Sequence, residues 1–348
     1  MELTAATVDA ARPFAPSVTA WNGVPWGCLM AGIVLGLVRP AALETAGLYL
    51  WAASIVVLGV PHGACDPLVL PRLLCRRWAL RATILFYVAY LCAAGLVVLL
   101  WVVSPLAGLL FFLGLTVWHW GTADAIARAR THLWYVAGGL ARGLLVIAGP
   151  FAFHPVESTA MFTQLVGVVG PSSSGTRMIV LTHVGSVVDG VRGLMACAVL
   201  VELAGIIHDL RHREVSRAAA AALDLALLLI LYRLVPPVTA VALYFTTWHS
   251  WRHVLRVGSL LEDSTVSAQR LVARYYARAW PLTIVSAAGL ALVMFVLRRH
   301  GLPDLIATYL VLISAVTLPH ALVVAAWDRG ARYAAWRQPP VTSVAAQA

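Results

Sequence analysis

The sequence predicts an all-α, polytopic transmembrane bundle of about eight to ten spans, with a histidine-lined metal site near its cytoplasmic end. Of 348 residues, 61% are hydrophobic and only 11% charged, and mean hydropathy is +0.85. Apolar runs near the ~20 residues needed to cross a bilayer recur along the whole chain. Several of those runs end in histidine: His62, His119, and the pair His249 and His253.

Residues 1–23 form an N-terminal segment, 24–330 a single integral membrane domain and 331–348 a disordered cytoplasmic tail. Glu2, Asp9 and Arg12 interrupt the first twenty residues, so no secretory signal is expected and the first span serves as anchor. Expected spans lie near 24–38, 46–60, 79–103, 104–120, 133–153, 188–207, 218–235, 236–252, 280–297 and 305–327. The first two are short enough to lie tilted or interfacial, which lowers the count to eight or nine. The stretch 154–187 is less hydropathic and contains Pro171-Ser172-Ser173-Ser174-Gly175. It is read as a long loop with a partial or re-entrant helix.

The net charge is +10, and the arginines gather in short loops between spans. Arg72, Arg76, Arg77 and Arg81 share one loop; Arg211, Arg213 and Arg217 share another. Threading ten spans puts these on one side with Arg128 and Arg130, with Arg270, Arg274 and Arg278, and with Arg329, Arg332 and Arg337. That side is assigned to the cytoplasm of a cell (inner) membrane by the positive-inside bias, so no nucleic-acid partner is expected. Arg298 and Arg299 are exceptions. Cys28, Cys65, Cys75, Cys92 and Cys197 form no C-x-x-C pair, which argues against a disulfide framework or a thiolate metal site.

The same threading brings His62, His119 and the His249/His253 pair to the cytoplasmic ends of separate spans, at one depth. Side chains four apart on a helix share a face, so His249 and His253 can close on one ion. Histidine at membrane depth is costly unless it faces protein or a ligand, and helix bundles build metal sites in their cores this way. His320, in Thr317-Leu318-Pro319-His320-Ala321, approaches the same layer and is read as shaping the pocket or bonding to a ligand rather than ligating. Asp66 and Asp124 follow His62 and His119 by four and five residues, within reach as acceptors for imidazole N–H groups. Asp66 before Pro67 equally reads as a helix N-cap. Trp118, Trp120, Tyr244, Phe245, Trp248 and Trp251 either line a passage for a long apolar substrate or form an interfacial belt. His208 and His212 also stand four apart, but Asp209, Arg211, Arg213 and Glu214 mark a solvated loop there. They, and His132, His154, His183 and His300, are read as non-ligands.

A nitrogen-only ligand set fits Fe, Zn, Cu or Ni, and Fe(II) with an open position for O₂ is the natural candidate if the chemistry is oxidative. The blocks Pro61-His62-Gly63-Ala64-Cys65-Asp66, Trp118-His119-Trp120, Trp248-His249-Ser250-Trp251-Arg252-His253 and Leu318-Pro319-His320 resemble, in order, those of the Brp/Blh β-carotene dioxygenases. The resemblance runs from about residue 45 to the last span. Cys65 and Trp120 depart from the residues expected at their positions, and the stretch between His119 and His249 is long for the family. The resemblance implies an integral membrane, non-haem iron enzyme that splits the central 15,15′ double bond of β-carotene with O₂ to give two retinal. It implies His62, His119, His249 and His253 as iron ligands, no catalytic residue beyond them, and a functional link to a retinal-binding rhodopsin. The residues alone leave two other readings. One is a histidine-box di-iron lipid or carotenoid oxidase, against which stands the absence of any His-His pair. The other is a non-catalytic metal transporter or retinal-protein assembly factor, against which stands the lack of a clear internal repeat.

Overall fold

The computed structural model describes residues 19–43, 47, 49, 59–73, 79–126, 128, 131–169, 184–261, 266–299 and 305–337. Among these, every regular element is helical. A π-helical turn, Thr19–Gly23, runs into α1 (Val24–Val38), and two short pieces follow, α2 (Val60–Gly63) and α3 (Asp66–Leu73). Next come α4 (Leu80–Val103), α5 (Pro105–Ala125), α6 (His132–Phe153), α7 (Pro155–Val169), α8 (Val184–Arg211) and α9 (Val215–Leu234). The last third holds α10 (Pro237–Leu243), a π-helix at Tyr244–Ser250, α11 (Trp251–Leu261), α12 (Ala268–Arg299) and α13 (Leu305–Arg337).

Eight helices among the described residues are long and apolar enough to cross a membrane: Trp21–Val38, α4, α5, α6, and most of α8, α9, α12 and α13. Eight of the ten expected spans recur among the described residues. Most of 46–60 lies outside the described residues. Segment 236–252 falls in an uninterrupted helical run, 237–261, that Pro237 begins and whose middle widens into the π-helix between α10 and α11. Proline suits a helix start because it supplies no amide, and π-segments often mark functional positions. The stretch read as a loop from 154 begins with a real helix, α7. Residues 170–183 and 338–348 lie outside the described residues, and α13 carries helix through Arg337 into the stretch expected to be disordered.

Hydroxyl caps begin two of the central spans. Ser104 accepts the Ala107 amide at 3.4 Å ahead of α5, and Thr131 accepts that of Trp134 at 3.3 Å ahead of α6. In hydrocarbon, apolar side chains gain little by leaving the lipid, so helix association relies on close packing of small residues. At the α5–α6 contact a Cβ on Gly121 would meet the Gly139 carbonyl oxygen at 1.8 Å, and one on Gly143 would meet that of Val117 at 1.9 Å. These glycines hold the His119 end of α5 directly against α6. Leu145, Leu228, Leu231, Tyr232 and Trp248 form one buried cluster, and Val254, Val257, Tyr275, Ala279 and Trp327 form a second. The histidine layer lies where segments bearing both clusters come together.

Gly143→Ala is expected to destabilise the bundle by about 1–3 kcal/mol through overpacking. Gly138→Ala, where an added Cβ meets nothing within 4 Å, is expected to be neutral. Thermal unfolding of the two variants in the same detergent checks this.

Candidate metal centre

Five imidazoles from four parts of the chain meet in one buried cluster. His62 comes from α2, His119 from the end of α5, His249 from the π-helix, His253 from α11 and His320 from the middle of α13. His62 is 9% exposed and the other four 4% or less. The ring centroids of His62 lie 5.6 Å from His249, 5.0 Å from His253 and 4.5 Å from His320. Those of His119 lie 5.0 Å from His249 and 4.9 Å from His320, and His253 lies 5.1 Å from His320.

Nε2 of every one of the five is buried without a hydrogen-bond partner, as is Nδ1 of both His249 and His253. A buried, unpaired polar atom costs about 1–3 kcal/mol. Five together are a standing demand for a cation. Two triads have ligand atoms all within 4.8 Å of one another: His62, His119 and His249, and Asp66, His253 and His320. The donors therefore fit a metal ion that accepts neutral imidazole, such as iron.

Neighbouring groups orient the rings. Nδ1 of His62 donates to the Gly59 carbonyl at 2.9 Å, which leaves the Nε2 lone pair free for a metal ion. The Tyr275 hydroxyl bonds to the carbonyls of Pro61 at 2.9 Å and His62 at 2.7 Å, fastening the short α2 turn to α12. Asp66 opens α3 and accepts an imidazole N–H, but from His320, at 2.9 and 3.0 Å, and not from His62. Tyr90 donates to the same carboxylate at 3.2 Å. Neither tyrosine carried a recognisable signal, since Tyr90 sits in an apolar helix and Tyr275 beside arginines resembles an interfacial aromatic.

Asp124 does not serve His119. At about 100° per residue, five positions along a helix turn it away from the histidine face. It accepts from the Tyr244 hydroxyl at 2.8 Å, Trp248 Nε1 at 2.8 Å and Arg252 at 3.4 Å. Tyr244 and Trp248 thus stack on the face away from the ligands, and neither lines the substrate cavity as expected. The adjacent stripe, Phe245 and His249, stacks at 6.0 Å and 18° and faces inward. Trp120 lies 5.4 Å from Phe245 and 5.5 Å from His249. Behind Asp124, Arg142 pairs with Glu202 at 3.0 Å, and Arg128 with Asp224 at 3.4 Å. Arg256 pairs with Asp328 and lies over Trp327.

A cavity of about 460 Å³ opens beside the cluster, with His62, His119, His320, Trp120 and Phe245 in its wall. Phe112, Phe151, Phe162 and Leu165 line one part, and Phe86, Tyr87, Leu91, Leu282 and Ser286 another. Leu91 and Ser286 are exposed on the lipid-facing surface of α4 and α12 while also lining the cavity, so it opens sideways.

Fold and site define an integral membrane protein with a buried imidazole cluster suited to a metal ion. The chain matches the family model for beta-carotene 15,15′-dioxygenase over residues 53–328. It is 30% identical over 353 residues to the probable beta-carotene 15,15′-dioxygenase Blh of Halobacterium salinarum, covering 94% of this chain and 96% of that one. The probable beta-carotene 15,15′-dioxygenase Brp of the same species is 29% identical over 330 residues, covering 86% and 87%. No solved structure shows a significant match. The chain belongs to the β-carotene 15,15′-dioxygenase family.

Asp124→Ala removes the shared acceptor of three buried donors, and breaking a buried charge pair costs about 3–5 kcal/mol. Asp124→Ala is expected to unfold at a markedly lower temperature than Asp189→Ala, whose carboxylate is exposed. Detergent-phase thermal unfolding reads the difference.

Proposed function

We propose that this chain is a non-haem iron dioxygenase that cleaves the central 15,15′ double bond of β-carotene, giving two retinal. The observation that carries the reading is the set of five buried, unpartnered Nε2 atoms, three of whose rings form part of the wall of an apolar cavity open to the lipid. His62, His119, His249 and His253 hold the ion. Fe(II) bound there supplies an open coordination position and the redox capacity to activate O₂.

The reaction needs little else from the protein. One carbon–carbon double bond breaks, both oxygen atoms end in the two aldehydes, and no proton or external reductant is consumed. The cavity accordingly presents aromatic and aliphatic walls, which exclude water and hold a polyene across the histidines. Trp120 and Phe245, flanking His249, centre the chain on the ligands. The lateral opening between α4 and α12 admits a substrate already dissolved in the bilayer. The arginine bias supports a site toward the cytoplasmic side of the cell membrane, and retinal leaves into the phase where a retinal-binding rhodopsin would take it up.

A two-iron oxidase is the second reading, favoured by the division of the donors into two triads. Metal analysis separates them: one iron per chain supports the dioxygenase, two the oxidase.

In cells making β-carotene, His249→Ala is expected to abolish iron retention and retinal formation together. Wild-type levels of both, by metal analysis and chromatography, would sink the ligand assignment. Ser286→Trp is expected to leave iron content unchanged while lowering retinal formation at least about tenfold, a loss of ~1.4 kcal/mol in transition-state access. Pigment extraction alongside metal analysis reads both effects.

A further inference from the structure

We infer that His320 is a fifth imidazole ligand of the same ion, aimed by Asp66 and Tyr90. This rests on the metal-centre reading above and goes beyond its four histidines.

His320 is not at the margin of the cluster. Its ring centroid lies 4.5 Å from His62, 4.9 Å from His119 and 5.1 Å from His253, no farther than the 5.6 Å between His62 and His249. The ring is 4% exposed. Nδ1 sits 2.9 and 3.0 Å from the two oxygens of Asp66, itself 2% exposed. A proton on Nδ1 is therefore donated to the carboxylate, and Nε2 is left as a lone pair. That lone pair is buried and has no partner, as Nε2 of each of the four other histidines has none. Lone pairs repel one another, so a donor or a cation must lie among them.

The alternative, His320 as an outer hydrogen-bonding group, requires Nε2 to accept from a donor, and Nε2 has no hydrogen-bond partner. The Asp66–His320 pair instead has the carboxylate–histidine arrangement that fixes the tautomer and raises the basicity of a ligating ring. Tyr90, on α4, donates to the same carboxylate at 3.2 Å and ties its position to a third helix. Pro319 has no amide to bond to the Ala315 carbonyl, which loosens α13 one residue before the ligand.

His320→Asn tests the inference, because the asparagine amide can keep the Asp66 hydrogen bond while removing the Nε2 position. Iron affinity of the purified full-length chain is measured by competition with a chelator, with His253→Ala as the ligand-loss reference. The expected result is weakening by at least about tenfold, as for His253→Ala, with iron-edge X-ray absorption falling from five imidazole scatterers to four. Unchanged affinity and an unchanged iron environment in His320→Asn, with one iron per wild-type chain, overturn this inference and leave the four-histidine centre standing. Two irons per wild-type chain overturn it as well, since Asp66, His253 and His320 then hold their own ion. A wild-type chain that takes up no iron overturns both. Should His320→Asn fail to fold, four rather than five imidazoles in the wild-type absorption spectrum overturns the inference without any variant.

Discussion

Five imidazole lone pairs held together inside a helix bundle, away from water, are the constraint on which the rest of this structure depends. Left unpaired, each costs on the order of 1–3 kcal/mol, and their repulsion adds to that. The surrounding scaffold is accordingly over-determined. Gly121 and Gly143 let α5 and α6 touch backbone to backbone, the Tyr275 hydroxyl clamps two carbonyls of α2, and Asp66 fixes the ring of His320. None of these contacts involves a large apolar area. That suits a bilayer, where apolar burial discriminates weakly and geometry must come from close contacts and hydrogen bonds.

The segment 244–253 performs two tasks on two faces. Phe245, His249 and His253 look into the site; Tyr244, Trp248 and Arg252 look out toward Asp124. The π-helical stretch is what allows aromatic pairs four apart to stack on both stripes. Beyond Asp124 lies a network in which Arg128, Arg142 and Arg252 face Asp124, Glu202 and Asp224. Three positive charges are matched by three negative ones, so the polar side of the segment is anchored without leaving net charge beside the histidines. The network is consistent with holding orientation; ion pairs of this kind contribute less to stability than to position.

Much of the site was legible because metal chemistry restricts residue types and spacing. His249 and His253 share a face, and His62 and His119 end apolar runs; neither pattern has many other uses at membrane depth. What was not legible depended on rotation about a helix axis or on contacts between distant segments. Asp124 stands one residue too far along α5 to serve His119, and which groups its own face meets depends on the rotation of α5 in the bundle. Tyr90 and Tyr275 act across gaps of 24 and 213 residues, and both resemble ordinary lipid-facing or interfacial aromatics. The π-helical stretch at 244–250 was concealed for another reason: residue pattern alone does not separate it from the α-helix on either side.

The character of the cavity suits the phase in which the proposed carotenoid substrate would reside. A carotenoid in a bilayer is already in hydrocarbon, so entering an apolar cavity yields almost none of the water-to-oil free energy that drives apolar ligands into soluble proteins. Binding must instead come from contact density, many dispersion contacts of about 0.1–0.2 kcal/mol each against walls that fit the chain better than lipid tails do. Rigid side chains provide such walls at low entropic cost. Trp120, Phe245, Phe112, Phe151 and Phe162 supply such walls around the cavity, and on the proposed reading their shape would govern which bond lies across the histidines. Selectivity in this phase is a property of the wall, whereas reactivity belongs to the imidazole cluster. The two meet at His249, where Trp120 and Phe245 lie against a ligand ring.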